Sequence, residues 1–269
     1  HAGGLRGLHP ASSYEPGLRD TMKPYYQDNA VTIWHGDCRE VLPQLKQASV
    51  DVVLTDPPYG MAYVGKCDAY GSNIRGDGVR QGVRLVRQAL FEAEKALALE
   101  AHFYVFCHWE SWPDFYDAVS AYCPMKNALI WWKKSVTMGN WSLEYARDYE
   151  VILYGARGGK LDGGRDGSVL EGFKPVPHAN RVHPTEKPCA LLEYLMSRSM
   201  GNGGLILDPF AGGGSVGLAA KRAGRKAVLI EIEERHCETA ARRCAAEMDY
   251  HRPLLLPAPT WMKGSDESQ

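Results

Sequence analysis

Ser49-Val50-Asp51-Val52-Val53-Leu54-Thr55-Asp56-Pro57-Pro58-Tyr59-Gly60 is the stretch from which the fold can be read. It opens as a β-branched apolar run of the kind that forms a buried strand. It then stops at two prolines, each of which fixes its own φ and biases the residue before it toward extended backbone. Asp56 and Pro57 are therefore held open at the end of a strand rather than coiled into a helix. Proline has no N–H, so the local polar groups are acceptors: the Asp56 carboxylate and the carbonyls of Asp56, Pro57 and Pro58. Tyr59 adds a flat ring. Acceptors beside a stacking platform suit a planar substrate with an exocyclic amino group, which offers two N–H donors and a π-face. The competing reading is an ordinary Pro-Pro turn after a core strand.

Working outward, Ala30–Trp34 predicts a short strand ending at His35-Gly36-Asp37-Cys38, and Arg39–Lys46 a helix leading into the Asp56 strand. Strand, acid, helix and strand in that order are the grammar of a parallel α/β sheet. On the other side, Met61–Arg80 holds four glycines and no apolar period, which predicts a mobile loop beside the site. A helix over Gly82–Leu99, a buried strand over Ala101–Cys107 and a helix over Trp112–Tyr122 follow, the last with Pro113 in its first turn. Ala128–Trp132 and Tyr149–Tyr154 read as further strands, as antiparallel edge partners. Residues 155–182 form a second irregular insertion rich in Gly, Arg, Asp and Pro. Residues 1–21 read as a loose arm or an expression scar, residues 22–252 as one catalytic domain, and residues 253–269 as a flexible tail.

The 269 residues are 45% hydrophobic and 23% charged, with a formal net charge of -1. That suffices for a sizeable core but gives no global basic field, so a polyanionic partner must be met by a local patch. Seven scattered cysteines without a CxxC pair read as reduced thiols of a cytoplasmic protein. No apolar run approaches the length of a membrane span, and no signal peptide is evident. No histidine spacing supports a metal.

The second informative stretch is Asp208-Pro209-Phe210-Ala211-Gly212-Gly213-Gly214-Ser215-Val216-Gly217, after the strand Gly204–Leu207. Its glycines satisfy G-x-G-x-x-G between a strand and a helix. Glu231 lies at the end of the next strand, about twenty residues on, where an acid suits a ribose diol. NAD is the obvious candidate ligand, but the carboxylate of Asp208 sits where a pyrophosphate would be repelled. A cofactor with a cationic amino-acid portion would be attracted there.

Together these residues resemble the S-adenosylmethionine-dependent DNA amino-methyltransferases. Asp56-Pro57-Pro58-Tyr59 matches the family's catalytic motif, Asp208–Gly214 its cofactor loop, and His183-Pro184-Thr185-Glu186-Lys187-Pro188 the element before the cofactor strand. Catalytic motif first and cofactor motif last is the order of the circularly permuted β group. The resemblance implies a Rossmann-like α/β fold, a mostly parallel twisted sheet with helices on both faces. The strands bearing Asp56 and Asp208 should then be neighbours. It implies S-adenosyl-L-methionine as cofactor. Asp37 would reach its adenine, Glu231 its ribose, and Asp208, Phe210, Ala211, Gly212 and Gly214 its methionine side, with Thr185 and Lys187 at its carboxylate.

The implied reaction is N6 methylation of adenine in double-stranded DNA after base flipping, within a restriction-modification setting. Cytosine-N4 is the nearest alternative, and RNA or protein methylation a more distant one; Asp before Pro-Pro leans toward adenine. Asp56, Pro57, Pro58 and Tyr59 would be catalytic. DNA contacts are expected from Lys66, Arg75, Arg80, Arg84, Lys133 and Lys134, and a homodimer is a candidate assembly. The region where a target-recognition domain usually lies, Gly155–Val182, is short.

Overall fold

The computed structural model describes residues 23–58, 79–134, 145, 148–177, 179, 181, 186–201 and 203–247. Among them, nine strands form one sheet: β1 (Tyr26–Gln27), β2 (Val31–His35), β3 (Val50–Thr55), β4 (Leu97–Cys107), β5 (Met125–Trp132), β6 (Tyr149–Ala156), β7 (Val169–Leu170), β8 (Leu205–Asp208) and β9 (Lys226–Glu231). Their spatial order is β1-β2-β9-β8-β3-β4-β6-β5-β7. Strands β2, β9, β8, β3 and β4 are mutually parallel, and β6 runs antiparallel to both β4 and β5. The expected mostly parallel sheet is therefore present, with the 125–132 and 149–156 strands paired antiparallel as the sequence suggests.

Among the described residues, six α-helices cover the sheet: α1 (Cys38–Val41), α2 (Val79–Ala93), α3 (Trp112–Ser120), α4 (Cys189–Ser199), α5 (Ser215–Arg222) and α6 (Glu234–Ala246). Buried residues of α1–α3 pack on one face with Val53, Phe103, Val105 and Ile230. Those of α4–α6 pack on the other with Val52, Leu54, Ile206 and Leu229. The split follows from connection direction. From β3 the chain steps through α2 to β4 on one side, whereas from β8 it steps through α5 to β9 on the other. Right-handed crossovers moving in opposite directions must use opposite faces. The two arms diverge between β3 and β8, which opens a crevice at the carboxyl ends of those strands.

Several boundaries differ from the sequence expectation. The helix predicted over Arg39–Lys46 is one turn, α1, followed by a 3-10 turn at Leu42–Gln44 where Pro43 withholds its N–H. The helix predicted to Leu99 ends at Ala93, and β4 begins at Leu97, because Leu97 pairs with Val50 of β3. The sequence places Thr185 and Glu186 at the N-terminal end of an amphipathic helix; α4 starts after Pro188, so Glu186 lies outside its first turn and instead pairs with Arg243 of α6. Within the 155–182 insertion, Asp166 pairs with Arg198 at 3.1 Å and accepts from the Tyr194 hydroxyl at 2.6 Å. This anchors its first half on α4, and β7 then adds to the sheet edge beside β5.

Candidate active site

Asp56 follows the last residue of β3 and Asp208 is the last residue of β8. The two strands pair directly, Val52 with Ile206 and Val53 with Leu207. The two motifs, about 150 residues apart in sequence, thus end side by side at the crevice. Thr55 makes the contact between them: its hydroxyl donates to Asp208 Oδ1 at 2.7 Å. Phe210 N–H donates to the same oxygen at 3.1 Å. Burial pushes the Asp208 carboxyl up to about 7, against those two hydrogen bonds, and the nearby Asp56 and Glu231 charges push the same way.

Glu231 closes β9, one strand further out. Its carboxylate accepts from Gly212 N–H at 2.7 Å and from Glu233 N–H at 2.8 Å, with His236 Nδ1 at 3.9 Å. Burial alone would raise this carboxyl; the bonds from His236, Glu233 and Gly212 outweigh it and hold it below the usual range. The loop between Asp208 and α5 turns on Gly212 and Gly214, whose φ values of 48° and 77° are left-handed and favour glycine. A Cβ on Gly214 would lie 2.5 Å from Ala240 Cβ, so α6 can pack against the loop only because that side chain is missing. Ala211 is buried and donates its N–H to Ile230 O at 3.0 Å. Arg243 of α6, which the sequence reading missed, donates to Gly213 O while bound to Glu186.

The other half of the crevice carries cations. Lys187 is buried and its Nζ pairs with Asp56 and, at 3.2 Å, with Glu150 of β6. Lys133 of the β5 end binds the same Glu150 at 2.6 Å. Burial opposes the charge on both Lys187 and Glu150; the neighbouring opposite charges overcome it, raising the lysine and lowering the acid. Lys187, expected at the cofactor carboxylate, is therefore engaged by the catalytic-motif acid. Lys133, expected on DNA, is turned inward as a counter-ion. Glu150 reaches this edge because β6 runs antiparallel, so its first residues lie at the carboxyl ends of the parallel strands.

Asp37 caps α1, accepting from Arg39 N–H at 2.9 Å and pairing with the Arg39 guanidinium. It lies just beyond β2, the neighbour of β9, and so on the β8–β9 side of the edge. Lys134 is exposed, 3.0 Å from Glu171 and over the Trp132 ring. Arg80 and Arg84 are exposed on α2. Tyr59, Lys66, Arg75 and Thr185 lie outside the described residues. Burial pushes the thiols of Cys38, Cys107, Cys123, Cys237 and Cys244 up to about 12, which keeps them protonated and unreactive. Among the described residues no group of three His, Cys, Asp or Glu could hold a metal, and no helix is long and apolar enough to cross a membrane.

Comparison with known proteins agrees with this geometry. Residues 165–242 match the family model described as DNA methylase. "Putative methylase YubD" of Escherichia coli (strain K12) is 30% identical over 219 residues, covering 78% of this chain and 88% of its own. The chain belongs to the N6/N4-type DNA methylase family. The type II methyltransferase M2.DpnII of Streptococcus pneumoniae is 26% identical over 88% of this chain and 97% of its own. In fold, the chain is similar to the crystal structure of the M1.HpyAVI–SAM complex. The TM-score is 0.62 and the identity 22%, over 79% of this chain and 98% of that one. It is similar also to the cytosine-N4-specific PvuII DNA methyltransferase, with a TM-score of 0.67 and 17% identity.

The donor set fits S-adenosyl-L-methionine. Two carboxylates, Asp208 and Glu231, flank a left-handed glycine loop, an arrangement that attracts a cationic amino-acid portion and a ribose diol and repels a pyrophosphate. The NAD reading is set aside on that ground.

Proposed function

We propose that this methylase modifies the N6 amino group of adenine in double-stranded DNA, with Asp56 as the group that makes the amine reactive. The adjacency of β3 and β8 carries this reading, because it brings the amine acceptors and the cofactor loop to one crevice. Bound there, S-adenosyl-L-methionine supplies a methyl group activated by a sulfonium. Asp208, Phe210, Ala211, Gly212 and Gly214 would hold its methionine side, Glu231 its ribose and Asp37 its adenine edge.

The chain's own task is to prepare the nitrogen. An aromatic amine is a weak nucleophile because its lone pair is delocalised into the ring. Two N–H bonds, one to the Asp56 carboxylate and one to the Pro57 carbonyl, favour a more pyramidal nitrogen with that pair localised. Such preorganised acceptors act through positioning and electrostatics. The Asp56 carboxylate, accepting that N–H bond, would also take the proton the nitrogen must shed. A base within a duplex cannot reach a crevice at a sheet edge, so the target leaves the stack. Tyr59, next in sequence after Pro58, is the ring on which it would stack.

Asp rather than Ser before Pro-Pro supports adenine over cytosine. Nucleoside mass spectrometry of duplex DNA treated with the enzyme and labelled cofactor tests the choice. N6-methyladenine is expected; N4-methylcytosine would move the chain to the alternative, and label in RNA or protein alone would overturn the DNA reading.

A further inference from the structure

Four charged side chains alternate in sign along the catalytic edge: Lys133, Glu150, Lys187 and Asp56. They come from four elements, the ends of β5 and β3, the start of β6 and the segment before α4. The links are 2.6 Å from Lys133 to Glu150, 3.2 Å from Glu150 to Lys187, and a close contact from Lys187 to Asp56. A lone Lys187–Asp56 pair would already be neutral. Glu150 is therefore not required to balance Asp56, yet it sits half-buried at the same ammonium with a lysine of its own. The consequence is electrostatic. A buried ammonium facing one carboxylate claims it fully and weakens it as an acceptor; one shared between two carboxylates claims each less.

We propose that Glu150 is a positioning residue for methyl transfer: by sharing Lys187 with Asp56, it fixes Asp56 in place while leaving it a strong acceptor for the substrate amine. The inference rests on the role given to Asp56 above. Among the described residues, the Cys107 thiol of β4 feels both carboxylates and Asp208 feels Asp56. Neither supplies a cation, whereas Lys133 and Lys187 do.

The account assigns opposite signs to neighbouring substitutions, which a purely structural role would not. In Glu150→Gln, Lys187 loses one of its two carboxylate partners and turns more fully to Asp56. Single-turnover transfer should slow about tenfold, while binding of S-adenosyl-L-methionine and of duplex DNA stays within about threefold. The acid limb of its rate–pH profile should stay at or below that of the unmodified enzyme. In Lys187→Met, two carboxylates lose their shared cation, and the limb should rise by about one pH unit or more. Lys133→Met, at a half-buried and more forgiving position, should raise it less.

A Glu150→Gln profile that rises with that of Lys187→Met, or a Glu150→Gln rate equal to wild type, overturns the inference. Urea unfolding of the two single variants and the double variant reads the link without activity. Coupling between Glu150→Gln and Lys187→Met is expected, and additive effects overturn the inference. An unmodified enzyme that methylates no DNA would instead overturn the methylation reading, while the unfolding cycle would still accept or overturn the Glu150–Lys187 link on which this inference stands.

Discussion

Two acid clusters sit at the same edge of one sheet and are solved differently. On the β3–β6 side, Asp56 and Glu150 are matched by Lys187 and Lys133, so the charge is fixed by partners within the chain. On the β8–β9 side, Asp208 and Glu231 are held mainly by uncharged donors, the Thr55 hydroxyl and the amides of Phe210, Gly212 and Glu233, with the His236 ring 3.9 Å from Glu231 and no lysine or arginine among these contacts. The first arrangement suits a neutral ligand that needs a preset acceptor, such as an aromatic amine. The second leaves net negative charge in a buried place, which suits a cationic ligand. The division of labour proposed across the β3–β8 seam thus matches how each carboxylate is compensated.

The largest effect that would separate the halves is expected from Asp56→Ala. Transfer should fall about a thousandfold, roughly 4 kcal/mol of transition-state stabilisation, with S-adenosyl-L-methionine affinity within a few-fold of wild type. Equal losses in both, read by single-turnover kinetics and calorimetry, would erase the distinction.

Asp208→Asn probes the other half through pH. In the folded chain Asp208 keeps its proton to about pH 7, against an ordinary value of 3.8. Between those values the folded form binds more protons than the unfolded one, so this residue's contribution to stability falls as pH rises and is lowest above about 7. The asparagine variant should therefore gain stability relative to wild type from pH 4 to 7, by up to a few kcal/mol. It should also lose the increase in cofactor affinity that wild type shows as Asp208 ionises. Parallel stability curves for the two proteins would contradict the burial argument.

Smaller effects sharpen the picture. Gly214→Ala meets Ala240 and an unfavourable φ, and should cost about 1–3 kcal/mol in urea unfolding. Removing Arg80 or Arg84 should weaken DNA binding a few-fold and lower the salt slope by about one unit each; an unchanged slope would remove them from the DNA-facing surface.

Much of this was legible in the sequence because strand, acid and proline recur at Asp56 and Asp208, and the glycine loop marks which one carries the cofactor side. The antiparallel β5–β6 pair and Glu231 at a strand end follow from local pattern, and the β3–β8 neighbours from the family resemblance. Lys187 and Lys133 did not, since the carboxylate that captures an ammonium depends on four elements meeting in space. Glu150 had a faint signal: an acid opening an otherwise apolar strand predicted to run antiparallel lands at the catalytic edge. The extension of β4 back to Leu97 was hidden because Leu97 and Leu99 continue the apolar run of the preceding helix, and only pairing with Val50 makes them strand.

A crystal structure of the full chain with S-adenosylhomocysteine bound tests the central claim most directly. The account predicts the ligand between the 209–214 loop and Glu231, its sulfur facing Asp56 across the β3–β8 seam. A ligand seated on the Lys187–Glu150 side, or away from this edge, would contradict it.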